Sequence, residues 1–135
     1  MRKSVDWREE AIGRHHDRSG FDCGVPVLNE YLQRFARQNH ESGGAKTFVA
    51  VGPAAPAVVL GYYTISPGAI AFAKAPAALT RKPGRYEVLF RLDRLAVSQA
   101  LQGRGLGGDL LLAAGERAIA VAREVGGVAL RLTQR

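Results

Sequence analysis

Apolar residues fall along this chain with two periods. Leu28, Leu32, Phe35 and Ala36 recur every three or four positions after Pro26, the stripe of an amphipathic helix whose first turn suits a proline. Asn29, Gln33, Arg34, Arg37 and Gln38 take the opposite face, and Gly43-Gly44 ends the run. Two β-rich runs follow, Thr47 to Val51 and Val58 to Ser66, with a Gly-Pro-containing loop between them, which predicts a hairpin. The stretch "KAPAALTRKPGRY", 74 to 86, reads as a connection. From Glu87 to Val97 the period is two: Val88, Phe90, Leu92 and Arg94 fall on one face, and Leu89, Arg91, Asp93 and Leu95 on the other. The run Leu95-Ala96-Val97 breaks that alternation, so an irregularity is predicted near Arg94 or Leu95. Helical spacing returns at Leu106, Leu110, Ala114, Ala118, Val121 and Val125, up to Gly126-Gly127, and "VALRL" reads as a short closing strand. Helix, hairpin, strand, helix, strand is the order of an α+β (mixed α/β) domain. A length of 135 residues accommodates one such domain, 1–135, rather than two.

Charge narrows the class of partner. The net charge is +7, and residues 1–45 hold seven basic and seven acidic side chains, so the excess lies downstream. Lys74, Arg81, Lys82, Arg85, Arg91, Arg94 and Arg104 cluster against only Glu87 and Asp93. A basic zone of this kind attracts a phosphate-rich partner, nucleic acid or phosphorylated cofactor, or is simply a solvated surface. No run approaches the roughly 18 apolar residues of a membrane span, and the charged N-terminus has no apolar leader core; a cytoplasmic protein with no membrane partner is expected. The lone cysteine, Cys23, has no internal disulfide partner and lacks a neighbouring base, so it reads as a small buried hydrophobe. His15, His16 and His40 do not have metal-ligand spacing, and no metal is expected.

The candidate chemistry sits in "LQGRGLGGDLL", Leu101 to Leu111, where glycines run straight into a helix. The first turn of a helix presents unpaired N–H groups and a partial positive charge, and glycines let a phosphate approach that backbone. A P-loop would need Lys-Ser or Lys-Thr after the glycines, and none follows. Gly103, Gly105 and Gly108 satisfy the dinucleotide pattern G-x-G-x-x-G, but the acidic residue expected about 20 positions on is missing; Glu124 lies within the helix. Gln102, Gly105 and Gly107 match a third pattern, R/Q-x-x-G-x-G/A.

With that pattern the stretch "RLDRLAVSQALQGRGLGGDLL" resembles the GCN5-related N-acetyltransferases, in which a strand, this loop and a helix bind acetyl-coenzyme A. "FDCGVPVLNEYLQRFARQNHESGGAKTFVAV", Phe21 to Val51, is similar to the N-terminal region of the acetyltransferase toxins of bacterial toxin–antitoxin modules. The resemblance implies a central, mostly antiparallel sheet flanked by helices. It also implies acetyl-coenzyme A as co-substrate, aminoacyl-tRNA as acceptor and a ribbon-helix-helix antitoxin; without closing strands the edge of "VALRL" would be unpaired, which predicts self-association as a homodimer or dependence on the antitoxin. Strand amides at Leu95, Ala96 and Val97 would bind the pantetheine arm. The segment Gln102, Gly103, Arg104, Gly105, Leu106, Gly107 and Gly108 would hold the pyrophosphate, with Gln102 and Arg104 able to reach phosphate oxygens.

Chemistry in that family is direct attack of a neutral amine on the thioester, with positioning and an oxyanion donor supplying the acceleration. Its general acid is a tyrosine after the last strand. The sequence reads "VALRLTQR" up to Arg135, ahead of that position, so a shortened domain is expected and no catalytic residue is assigned. Tyr31, Tyr62, Tyr63 and Tyr86 precede the loop and are expected to pack or to line the substrate side. Arg34, Arg37, Lys46, Arg81, Lys82, Arg85 and Arg91 are candidates for RNA phosphates. Two other readings stay open: acetylation of a small amine or a protein N-terminus, and a non-catalytic module that binds coenzyme A or an antitoxin.

Overall fold

The computed structural model describes residues 4–70 and 87–124. The predicted connection at 74–86, the strand "VALRL", and Tyr86, Arg81, Lys82 and Arg85 lie outside these residues. Four strands form one antiparallel sheet in the order β1 (Arg8–Ala11), β2 (Lys46–Val51), β3 (Gly61–Ile70), β4 (Glu87–Val97). The hairpin is present as β2 and β3, with Phe48 opposite Tyr63. Its second strand begins at Gly61, three residues later than predicted.

Strand β2 explains the layering. Its residues Thr47 to Val51 are all buried, because the sheet is covered on both faces. Val49 and Val51 pack on one side with Leu32, Ala36, Tyr62 and Ala96. Phe48 and Ala50 pack on the other with Tyr63, Leu92, Leu106, Leu110, Ala114 and Ala118. Helix α3 (Leu106–Glu124) thus lays the predicted i, i+4 stripe on the sheet, and full burial of each leucine side chain contributes roughly 1.5–3 kcal/mol.

The first helix departs from a regular period. It runs as α1 (Pro26–Glu30), a π-turn at Tyr31–Phe35 and α2 (Ala36–Ser42). The Ala36 N–H reaches back five residues to Tyr31 O, and Phe35 takes φ −119°. One residue is squeezed out of register, so Tyr31, Leu32 and Ala36 are all buried while Phe35 is 46% exposed. Phe35 is therefore not on the apolar face where a 3.6-residue period puts it; local π geometry overrides the stripe. The helix does end at Gly43, in the left-handed conformation with φ 90°.

Strand β1 carries no apolar alternation and is unpredicted. What holds it, besides its pairing with β2, is a polar cluster. Arg117 of α3 donates from Nε to Glu9 Oε2 at 3.0 Å and to Tyr63 Oη at 3.2 Å, Tyr63 donates to Glu9 Oε1 at 2.9 Å, and the guanidinium lies 3.8 Å over the Phe48 ring.

Candidate functional site

The irregularity in β4 falls at Asp93. Thr64 pairs with Arg94 and Ile65 with Leu92, which leaves Asp93 as the extra residue. A bulge exchanges the faces beyond it. Phe90 and Leu92 face α3 before the bulge, and Leu95 and Val97 face it afterwards. Arg94 therefore does not share a face with Leu92 as strict alternation predicts; it crosses to the other side, with its guanidinium 3.6 Å over the Tyr31 ring. Asp93 is buried, accepting from Ser66 Oγ at 2.7 Å and Arg91 Nε at 2.6 Å. Beside it, Val27, Leu28, Arg91, Asp93 and Arg94 line an open groove of about 290 Å³.

Past the bulge, β4 stays paired with β3 as far as Val97. The Ser98 N–H donates to Leu60 O at 2.9 Å, on the β3 side. Strand N–H directions alternate, so that of Ala96 also faces β3, and those of Leu95 and Val97 face the far edge. Among the described residues no strand follows along that edge.

A 3₁₀ turn, Gln99–Leu101, leads to the glycines. Gly103 and Gly105 have φ of 86° and 88°, a region costing a side-chain-bearing residue roughly 1–2 kcal/mol. Among the described residues, the N–H groups from Gly103 to Gly108 donate to no acceptor; the first helical bond is Asp109 N–H to Gly105 O, 3.1 Å. A methyl added at Gly103, Gly105 or Gly108 would meet nothing within 4 Å. Successive unpaired N–H groups beside open space make an anion cradle, reinforced by the helix dipole.

Gln102 has a different place from the one its motif position implies. Its Nε2 donates to Cys23 O and Val97 O, both at 2.9 Å, so its amide ties the loop to the protein rather than reaching for phosphate. The Gln99 N–H donates to Asp22 O at 2.9 Å. Asp22 Oδ1 accepts from the Gly24 N–H at 2.9 Å and Asn29 Nδ2 at 3.0 Å, and Asn29 Oδ1 accepts from the Cys23 N–H at 2.9 Å. Those bonds, the Gly24 amide first, hold the Asp22 carboxyl below its usual range. Phe-Asp-Cys-Gly is thus a bracket on the glycine loop, a link that sequence reading missed because hydrogen bonds between residues about 75–80 positions apart leave no periodic signal. Cys23 is buried, as expected.

Of the RNA candidates, Arg34 is exposed and makes no ion pair among the described residues. Arg37 lies 3.8 Å from Glu41, Arg91 is paired with Asp93, and Lys46 Nζ donates to His40 O at 2.7 Å. Tyr31, Tyr62 and Tyr63 are buried. Burial raises the Tyr62 and Tyr63 phenols, and both donate inward, Tyr62 to Leu28 O at 2.6 Å. The fold also brings Glu10, His15 and His16 within 4.8 Å of one another. His16 Nδ1 accepts the Gly13 N–H at 3.0 Å, so Nε2 carries the proton that it donates to Glu10 at 2.8 Å. That tautomer makes the trio a hydrogen-bonded clamp with no lone pair for a metal at His16 Nε2.

Comparison with known proteins fits this arrangement of bulged strand, glycine loop and helix. A tRNA-acetylating toxin of Mycobacterium tuberculosis (strain ATCC 25618 / H37Rv) is 36% identical over 110 residues, covering 82% of this chain and 64% of the toxin. The structure of AtaT complexed with acetyl-methionyl-tRNAfMet superposes with a TM-score of 0.78 at 25% identity, covering 94% of this chain and 77% of AtaT. This chain is similar to acetyltransferase toxins and shares their GCN5-related N-acetyltransferase fold. AtaTR bound with AcCoA gives a TM-score of 0.77 at 27% identity, over 94% and 76% of the two chains. No protein-family model matches the sequence, and the chain spans less than two thirds of the Mycobacterium relative. No described helix is long and apolar enough to cross a membrane.

Proposed function

We propose that the chain is an acetyltransferase-like domain that takes acetyl from acetyl-coenzyme A and transfers it to the α-amino group of aminoacyl-tRNA in the cytoplasm. The observation carrying this reading is the run of unpaired N–H groups from Gly103 to Gly108 at the head of α3. In it the pyrophosphate lies on those amides, and the pantetheine arm bonds the outward groups of Leu95 and Val97; the amide of Ala96 is committed to β3. Arg104, exposed in the loop, adds charge. The bound thioester supplies an activated acetyl group, and the protein supplies orientation and exclusion of competing poses.

The acceptor enters from the β4 bulge, where Arg91 and Arg94 line the groove and face phosphate-bearing RNA; Arg34, Arg37, Lys46, Arg81, Lys82 and Arg85 are the further candidates for its phosphates, the last three outside the described residues. The similarity to AtaT, seen complexed with acetyl-methionyl-tRNAfMet, supports that choice. Neutralisation by a ribbon-helix-helix antitoxin and assembly as a homodimer belong to the same proposal. Charged tRNA incubated with the protein and labelled acetyl-coenzyme A is expected to gain label on its aminoacyl group. No transfer under conditions where coenzyme A binds refutes it.

A smaller amine or a protein N-terminus is favoured by one observation: Arg37, Lys46 and Arg91 already have protein partners. Salt separates the readings, since neutralising several RNA phosphates makes binding fall steeply with added salt.

A further inference from the structure

We propose that Asp22, Asn29 and Gly24 are positioning residues for the glycine loop, acting on coenzyme A without touching it. This inference rests on the reading of Gly103–Gly108 as the pyrophosphate seat. The loop needs an external anchor because its own bonds are few. Between Ser98 and Arg104 the only backbone bonds internal to the loop, among the described residues, are the 3₁₀ bonds Leu101 N–H to Ser98 O and Gln102 N–H to Gln99 O, 2.9 and 3.3 Å. Two left-handed glycines then leave the chain free to pivot. A cradle that pivots loses orientation of all its N–H groups at once, and preorganisation is lost with it.

The bracket supplies two anchors, one at each end of the turn: Asp22 O takes the Gln99 N–H, and Cys23 O takes Gln102 Nε2. Those two carbonyls are aimed by the bracket's own bonds. Asp22 Oδ1 closes a short turn onto the Gly24 N–H, and Asn29, on α1, grips both Asp22 Oδ1 and the Cys23 N–H. Gly24 has φ 90°, and a Cβ there would stand 2.6 Å from Gln99 Nε2. The bracket therefore lies against the Gln99 side chain of the turn, and a side chain at Gly24 would displace that amide as well as strain the left-handed backbone. Helix α1 is in turn fixed to the sheet by Tyr62 through Leu28 O, so the chain of contacts runs from the sheet through α1 to the loop.

The test uses the full chain and two probes, coenzyme A and pantetheine, which lacks the pyrophosphate. Asp22→Ala and Asn29→Ala are each expected to weaken coenzyme A about fivefold or more while leaving pantetheine unchanged, and to speed hydrogen exchange at the Gln99 amide. Asp22→Asn keeps an Oδ1 acceptor for both donors and is expected to restore coenzyme A affinity to within about twofold of the wild type. Equal weakening of both probes, loss in Asp22→Asn as large as in Asp22→Ala, or unchanged coenzyme A affinity in the alanine variants overturns the inference. A wild-type chain that binds no coenzyme A overturns the pyrophosphate reading itself, and the inference falls with it; wild-type binding with unaffected variants overturns the inference alone.

Discussion

Gly108 offers a test in which stability and binding move in opposite directions. It is the third residue of α3, its backbone is helical rather than left-handed, and an added Cβ would meet no atom within 4 Å. Glycine in a helix costs up to about 1 kcal/mol relative to alanine, and near an N-terminus the gain recovered by substitution is about 0.5–1 kcal/mol. Spread over the unfolding entropy of a 135-residue chain, that is a rise of about 2–4 °C in Tm. The same methyl stands in the open space before the unpaired N–H groups. A phosphate seated there must shift, and a displaced packing contact costs about 1–3 kcal/mol, a loss of about fivefold or more in coenzyme A affinity. Scanning calorimetry and isothermal titration on one preparation read both quantities. A raised Tm with undiminished affinity refutes the seat at this turn; a lowered Tm refutes the helical placement of Gly108.

Four further outcomes are expected. Leu110→Ala, at a fully buried position, is expected to lower unfolding free energy by about 2–5 kcal/mol in urea titration, whereas Leu112→Ala, 69% exposed, should stay within about 0.5 kcal/mol of the wild type. Glu9→Gln weakens a partly buried cluster around Arg117 and should cost about 1–2 kcal/mol in the same assay. His40 accepts the Thr47 N–H on Nδ1 at 3.0 Å; burial, then Lys46, lowers its pKa from 6.5. The unfolded chain therefore takes up the proton first, so this stability is complete above about pH 6.5 and is lost as pH falls below it, and His40→Gln should flatten that slope. Glu10 is lowered to about 2 by its hydrogen bond from His16, then by Arg8 and His15; its contribution is complete above about pH 4.5 and lost as pH falls towards about 2, and Glu10→Gln should remove it from an acid titration of Tm.

The glycine loop and α3 were legible because their signals are local: a helical stripe of Leu106, Leu110, Ala114 and Ala118, and glycines where left-handed φ is required. The break in β4 was legible as a break, but assigning it to Asp93 needs the opposing strand, since only the Thr64/Ile65 register counts the extra residue. Phe35 misled because a π-turn spends one residue without altering composition. Strand β1 was invisible for another reason: "REEA" is held by polar contacts of Glu9 and Glu10 and by an edge pairing, neither of which leaves an apolar pattern. Gln102 matched its motif by letter, while its side chain bonds the carbonyls of Cys23 in the bracket and Val97 in β4.

The cluster of Glu9, Tyr63 and Arg117 sets an order of events during synthesis. Glu9 leaves the ribosome early, yet its cation is encoded 108 positions later. Until α3 has emerged and coiled, the nascent β1 lacks its Arg117 anchor and covers the outer edge of β2 less firmly. Locking of the sheet must therefore come late in translation, and chaperone capture or misassembly of this protein should concentrate on chains stalled before residue 117.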